Sequence, residues 1–279
     1  MRFNSPYFYL AFFLILNIFN FVDRNLLIAF APQIKSEFNL TNVQWGLLTG
    51  VYFLFFYSVF GIFMGVLGDK FSRMKIAAAG VFLWSLMTAV TGIAKNFSHL
   101  IFARALIGVG ESALTPNAIS MLSDLFKQNQ RGTASAIYYL GIPLGVGFGM
   151  LIAAFFGPIF GWRAVFIFLG LIGMGLGILT YFLFEPIRGQ LDINFDKTSK
   201  PNSIKDILSM TKSALYNSKC LTFVIIGSIF LHIPLGAGNF EVLWAVNERG
   251  FTASSYNSLF GFLFIIGGTI GALAGGILS

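Results

Sequence analysis

Apolar residues run along this chain in long blocks that do not alternate, and polar residues gather in the short stretches between them. A helix rising about 1.5 Å per residue needs about 20 apolar residues to cross a hydrocarbon layer about 30 Å thick. By that measure eight spanning helices are predicted, at Tyr7–Ala31, Gln44–Leu67, Ile76–Ala94, Leu100–Leu122, Gly132–Phe156, Val165–Phe184, Leu221–Trp244 and Tyr256–Leu278. Lipid supplies no hydrogen bonds, so backbone within it must pair inside helices or closed barrels. Unalternating blocks of this length select helices.

Composition agrees. Of 279 residues 56% are hydrophobic and 10% charged, with mean hydropathy +0.79, against about 25% charged in soluble domains. The first apolar block is too long for a signal-peptide core of about 7–15 residues, so the N-terminal helix is expected to stay in the protein. Cys220 is the one cysteine. It excludes a disulfide framework and reads as a small apolar residue at a helix start. The polar stretch Glu185–Lys219, with Pro201 in it, separates six helices from two. The expected organisation is a six-helix bundle at 1–184, a linker at 185–220, and the first two helices of an incomplete second bundle at 221–279.

The formal charge of +7 is explained by topology. With the N-terminus inside, 12 of the 18 Lys and Arg fall in cytoplasmic segments and 4 in outer ones, while Arg24 and Arg104 lie within helices. This bias orients the N-terminus and linker to the cytoplasm and removes nucleic acid as a partner. Shifting the chain by 211 residues lays Thr41 on Thr252, Gly50 on Gly261, Gly65 on Gly276 and Leu67 on Leu278. With the linker, this favours two homologous halves, the second cut short, a parallel repeat found in transporters.

Several segments then resemble the major facilitator superfamily: GVLGDKFSRMK between helices 2 and 3 (Gly65–Lys75), RALIGVGE in helix 4 (Arg104–Glu111) and GWRAVF opening helix 6 (Gly161–Phe166). FVDRNL (Phe21–Leu26), RALIGVGES, SDLF…QRG (Ser123–Gly132), GIPLGVGFG (Gly141–Gly149) and FEPIRG (Phe184–Gly189) are similar to its Spinster branch, over residues 15–190 above all. The resemblance implies an all-α integral membrane protein of the major facilitator fold. It implies a secondary transporter working by alternating access, for lysophospholipid or sphingoid lipids in animals and less defined solutes in bacteria. It also implies proton coupling through the helix-1 Asp and helix-4 Glu, which match Asp23 and Glu111. The loop residues Gly65, Asp69, Lys70, Arg73 and Lys75 match a cytoplasmic latch between the halves, whose usual partner helix lies late in the second half.

An ionised side chain at bilayer depth costs at least about 2.5–3.5 kcal/mol, so it needs a partner and usually a function. Asp23 and Arg24 lie in helix 1, and Arg104 and Glu111 in helix 4. Their depths predict that Asp23 pairs with Arg104, and that protonating Asp23 frees Arg104 for an anionic group. Arg104, Gly108, Glu111 and Thr115 share one helix face, and Pro116 leaves the Ser112 carbonyl without its helical donor. Arg24 is read either as a cavity residue or as snorkelling outward. Asn20 shares a face with Asp23 and is expected to line the cavity. Tyr138 and Tyr139 read as cavity residues or interfacial anchors. The alternative for the charged set is an ion-pair network that only locks helices together.

The remaining candidates read as structural. Gly141, Gly145 and Gly149, spaced by four, suit close helix packing. His232 is expected to pack between helices, and Trp45, Trp84, Trp162 and Trp244 to mark membrane interfaces, Trp84 fitting least well. GVGES and GVGFGM sit in spanning helices without the strand that a nucleophile elbow or dinucleotide site needs, and no His or Cys pair has metal spacing. The expected protein is therefore not an enzyme. It has no cofactor, takes a proton gradient as driving force, and meets a small-molecule substrate and the bilayer of a bacterial inner membrane, its oligomeric state left open. A truncated fragment that does not transport, and a sensor built on a transporter fold, are the other readings.

Overall fold

A computed structural model describes residues 5–189, 191 and 204–278, and every element among them is helical. The spanning helices are α1 (Pro6–Ala29), α2 (Asn42–Lys70), α3 (Arg73–Gly92), α4 (Phe97–Leu125), α5 (131–160), α6 (162–181), α7 (Lys219–Leu235) and α8 (Ala253–Leu278). Shorter helices cover Ala31–Glu37, Ile204–Asn217 and Glu241–Arg249. The expected linker is only partly described, because residues 190 and 192–203, with Lys197, Lys200 and Pro201, lie outside the described residues. So do Arg2 and Ser279.

Local sequence sets the helix starts. Pro6 opens α1, where its missing N–H costs nothing. Thr41 and Gln44 form a reciprocal capping box at α2, with hydrogen bonds of 3.2 and 2.9 Å. Ser72 caps α3, and Asn96 caps α4 by accepting from the His99 amide at 2.9 Å. His99 thus lies in the first turn of α4 and is exposed.

The run from Gln128 to Tyr181 is helical for 54 residues, about 80 Å at 1.5 Å per residue and far longer than one crossing. It is two spans joined at Gly161, whose φ of 74° and ψ of 160° fall in a region open essentially to glycine alone. A Cβ there meets no neighbour within 4 Å, so backbone conformation alone requires the glycine. Gly161→Ala is expected to cost about 1–3 kcal/mol, read as a lower thermal midpoint in detergent.

Two apolar clusters make the interior. One, on the side where α1 ends, includes Leu26, Phe30, Trp45, Trp162, Phe166 and Leu243. The other, on the side where α1 begins, includes Phe13, Leu16, Trp84, Met121, Leu122 and Tyr138. Backbones approach closely at glycines: Gly145 of α5 against Phe21 of α1, Gly147 of α5 against Gly261 of α8, and Gly80 of α3 against Gly110 of α4. The α5 glycines spaced by four, Gly141, Gly145 and Gly149, all meet α1, and Gly147 meets α8.

The outside is apolar. Val51, Leu54, Phe55, Ile62 and Phe63 of α2 are exposed, as are Phe223, Ile229, Phe230 and Leu231 of α7. Faces of this extent occur where lipid, not water, is the solvent.

Three sequence expectations change. The tryptophans do not form an interfacial belt: Trp45, Trp84 and Trp162 are buried and Trp244 alone is half exposed. Trp45 Nε1 donates to the Asn239 carbonyl at 2.9 Å and Trp162 Nε1 to Glu37 at 2.8 Å, so partners draw them inside. His232 packs against no other helix among the described residues. It is exposed on α7, its Nδ1 2.7 Å from the Ser228 carbonyl one turn back. The seventh predicted helix stops at Leu235, and after a 3-10 turn Glu241 begins a separate short helix, where it accepts from Tyr256 Oη at 2.6 Å.

Candidate functional site

A polar layer lies between the two apolar clusters, built from α1, α3 and α4. Asn17, Asn20 and Asp23 of α1, Thr88 of α3, and Arg104 and Glu111 of α4 are all buried. The predicted set therefore converges, but its pairing differs from expectation. Arg24, not Arg104, forms the ion pair: its Nε is 2.5 Å from Glu111 Oε2. Asp23 makes no direct pair with Arg104; its Oδ2 accepts from the Thr88 hydroxyl at 2.5 Å. Arg24 does not snorkel outward. One step beyond Asp23 turns it about 100° round α1, and its long side chain reaches the Glu111 carboxylate.

Aromatic faces hold the guanidiniums. The Arg104 guanidinium sits 4.3 Å from the Phe53 ring centroid, and that of Arg24 lies 4.9 Å from the same ring and 4.5 Å from Tyr57. Guanidinium over a ring face is attractive, and more so away from water. These two α2 residues went unnoticed in the sequence among 34 phenylalanines and 9 tyrosines. Their placement depends on Gly108, because a Cβ there would stand 2.7 Å from the Phe53 carbonyl. A π-helical turn at Leu47–Val51 immediately precedes them, a distortion frequent at functional sites.

α4 breaks beside Glu111. Its first segment ends at Glu111 and the next begins at Leu114, with Pro116 in the new first turn. The Ser112 hydroxyl turns back to the Val109 carbonyl at 2.7 Å. Tyr138 is fully buried, with its hydroxyl 3.1 Å from that of Thr115 and its carbonyl accepting from Asn17 Nδ2 at 2.8 Å. It is thus an interior residue, while Tyr139 is 44% exposed. Asn20 stands beside the Glu111 carboxylate.

Asp23 Oδ1 and Arg104 Nε are buried without a hydrogen-bond partner among the described residues, while the Asn20 amide and the Glu111 carboxylate have each other. Buried polar atoms are nearly always paired. An unpaired guanidinium donor and an unpaired carboxylate acceptor within one layer are groups disposed to receive a polar ligand. No cluster of three or more metal-ligating side chains occurs among the described residues.

The loop set lies at the end of the bundle where α1 begins. Asp69, Lys70 and Lys75 are exposed and Gly65 is partly buried, whereas Arg73 is only 4% exposed. Arg73 donates to Asp124 at 2.5 Å, Glu185 at 2.9 Å, Ser120 at 2.9 Å and the Pro186 carbonyl at 3.1 Å. Arg188 closes the same joint, donating to the Gly68, Asp69 and Phe71 carbonyls at 2.5–2.6 Å. Burial alone would raise the Glu185 carboxyl, but hydrogen bonds from Ser72 and Arg73 outweigh it and hold it below the usual range. At the other end Arg163 ties α6 to Glu37 at 2.6 Å and to the Gly92 and Ala94 carbonyls at 3.0 and 2.7 Å. The loop residue Arg73 and the helix-6 opening are thus joints within the bundle.

A bundle of helices long and apolar enough to cross a membrane, closed round a buried layer of paired and unpaired charges, defines an integral membrane protein of a transporter family. The chain belongs to the Major Facilitator Superfamily, whose family model matches residues 13–279, and it is Spinster-like within it. It is 27% identical over 288 residues to Protein spinster of Drosophila melanogaster, covering 99% of this chain and 46% of that protein. It is 28% identical over 275 residues to Sphingosine-1-phosphate transporter SPNS2 of Danio rerio, covering 94% and 54%. Its fold matches a bacterial homolog of the human lysosomal transporter Spinster, in an inward-facing and unoccupied conformation, with a TM-score of 0.81 at 24% identity, covering 94% of this chain and 60% of that one. The chain thus spans about half the length of the curated relatives it matches.

Proposed function

We propose that this chain forms the first half, and the start of the second, of a proton-coupled secondary transporter for an amphipathic organic anion, lipid-like solutes being favoured. Residues 1–184 are the first bundle, 185–220 the linker and 221–279 the opening of the second bundle, with the N-terminus and linker in the cytoplasm. The observation that carries the reading is the buried layer with its unpartnered groups. Arg104 Nε suits an anionic head group, and Asp23 Oδ1 suits a hydroxyl or ammonium beside it.

Proton coupling follows from charge balance. With Asp23 and Glu111 both ionised, the layer holds two acids against Arg24 and Arg104 and is neutral. A proton on Asp23 leaves it positive and attractive to an anion, while the Arg24–Glu111 pair stays intact. Asp23 is the better proton carrier of the two acids, since it is bonded to a hydroxyl and Glu111 to a guanidinium. The Spinster likeness supports lipid substrates, and the relative named as a sphingosine-1-phosphate transporter supports a phosphorylated head group. The end where α1 finishes is closed by Trp45 on Asn239 and by the Phe240 ring 3.5 Å from the Cβ position of Gly46. Alternating access would open that contact as the opposite end closes, with Gly65, Asp69, Lys70, Arg73 and Lys75 in the latch at the opposite end.

The test is flux of radiolabelled sphingosine-1-phosphate and lysophosphatidate into sealed liposomes carrying this 279-residue chain, with and without an imposed pH gradient. Gradient-driven flux falling to background in Asp23→Asn supports the reading. Flux that ignores the gradient overturns the coupling. No flux of either solute by the folded chain makes it a non-transporting fragment.

A further inference from the structure

The bond between Asp23 and Thr88 is ambiguous about its proton. A threonine hydroxyl carries one hydrogen, yet Thr88 Oγ1 stands 2.5 Å from Asp23 Oδ2 and 2.9 Å from the Trp84 carbonyl. When Asp23 is ionised, the hydroxyl proton goes to the carboxylate, and a separation of about 2.5–2.7 Å is typical of such a charge-assisted bond. When Asp23 is protonated, the acid donates to Thr88 Oγ1 and the threonine proton turns to the Trp84 carbonyl. Both arrangements are satisfied with every heavy atom in place, and only a hydroxyl rotor moves.

We propose that Thr88 is the positioning residue of the proton site, its rotor serving both states of Asp23 and setting the balance between them. This rests on the reading of Asp23 as the proton carrier. The layer is closed enough for the role: Thr88 is 2% and Asp23 3% exposed, so water does not replace a lost donor. Glu111 and Arg104 on α4 and Arg24 on α1 face Asp23 within electrostatic reach. Tyr57 on α2 and Tyr138 on α5 stand behind, toward Arg24. None of these changes when Thr88 alone is replaced, so any altered proton affinity belongs to Thr88.

The experiment is infrared difference titration of the full chain in liposomes, following the carboxylic-acid carbonyl band that disappears in Asp23→Asn. In Thr88→Val the ionised acid loses its donor, and the band is expected to persist to a pH about one unit higher than in the wild type, a tenfold change in proton affinity. Thr88→Ser should restore the wild-type profile, and Thr88→Cys, a weaker donor of similar size, should fall between if the valine variant does not fold. A Thr88→Val or Thr88→Cys profile identical to wild type overturns the proposal and leaves the coupling reading standing. Absence of any Asp23-dependent band at every pH overturns both.

Discussion

Glu111→Gln is expected to destabilise the chain by about 3–5 kcal/mol, the usual effect of removing one member of a buried ion pair. The Arg24 guanidinium would remain among Phe21, Phe53 and Tyr57, with its centre 4.5–5.0 Å from each ring, and no carboxylate to oppose its charge. The cation–π contacts with these rings are present before and after the change, so they do not offset the loss. Adding Arg24→Gln should recover most of the stability, since the second change removes the stranded charge rather than another favourable contact. The measurement is a double-mutant cycle on thermal unfolding in detergent. Wild-type stability in Glu111→Gln alone would show that Arg24 swings out to the membrane surface, as its sequence position also allows.

Arg73→Ala carries a comparable cost, about 3–5 kcal/mol, for the same reason of a buried pair broken. Arg73 joins the start of α3, the end of α4 and the segment after α6 through Asp124, Ser120, Glu185 and the Pro186 carbonyl. Without it Asp124 stays buried, bonded to the Gly189 amide at 2.9 Å. Acid weakens the same joint. Because the Glu185 carboxyl is held below its usual range when folded, the unfolded chain binds that proton more readily. Its contribution is full above about pH 4.5 and is lost as pH falls through the folded value. The thermal midpoint should therefore drop on acidification in the wild type and less so in Glu185→Gln. An equal drop in both would place the acid sensitivity elsewhere.

These joints explain which motifs were legible. GVLGDKFSRMK, FEPIRG and GWRAVF stand out in the sequence, and the Spinster likeness tied them to a family; the structure shows Arg73 and Arg188 each binding the other's motif, and Arg163 tying α6 to Glu37 and to the end of α3 at the opposite end. Nothing local in the chain tells Arg73, 4% exposed, from Lys75, which is exposed. Thr88 was not legible at all, because a hydroxyl in a helix usually bonds its own preceding turn, and Thr91 does so too, to the Met87 carbonyl at 2.9 Å.

The sequence by itself determined the solvent, most of the spans and the charges carried within them. Block length and the rarity of charge are one-dimensional quantities, and lipid enforces them residue by residue. It also put Asp23, Arg24, Arg104 and Glu111 inside spanning helices, since position in a helix is only residues counted from its end. Only the tertiary structure decided who meets whom. Arg24 finds Glu111 across 87 positions of chain and Asp23 finds Thr88 across 65, at the level where Gly108 and Gly110 let α2 and α3 press against α4. Pairing depends on helix rotation and crossing point, and those are fixed by packing between helices distant in sequence.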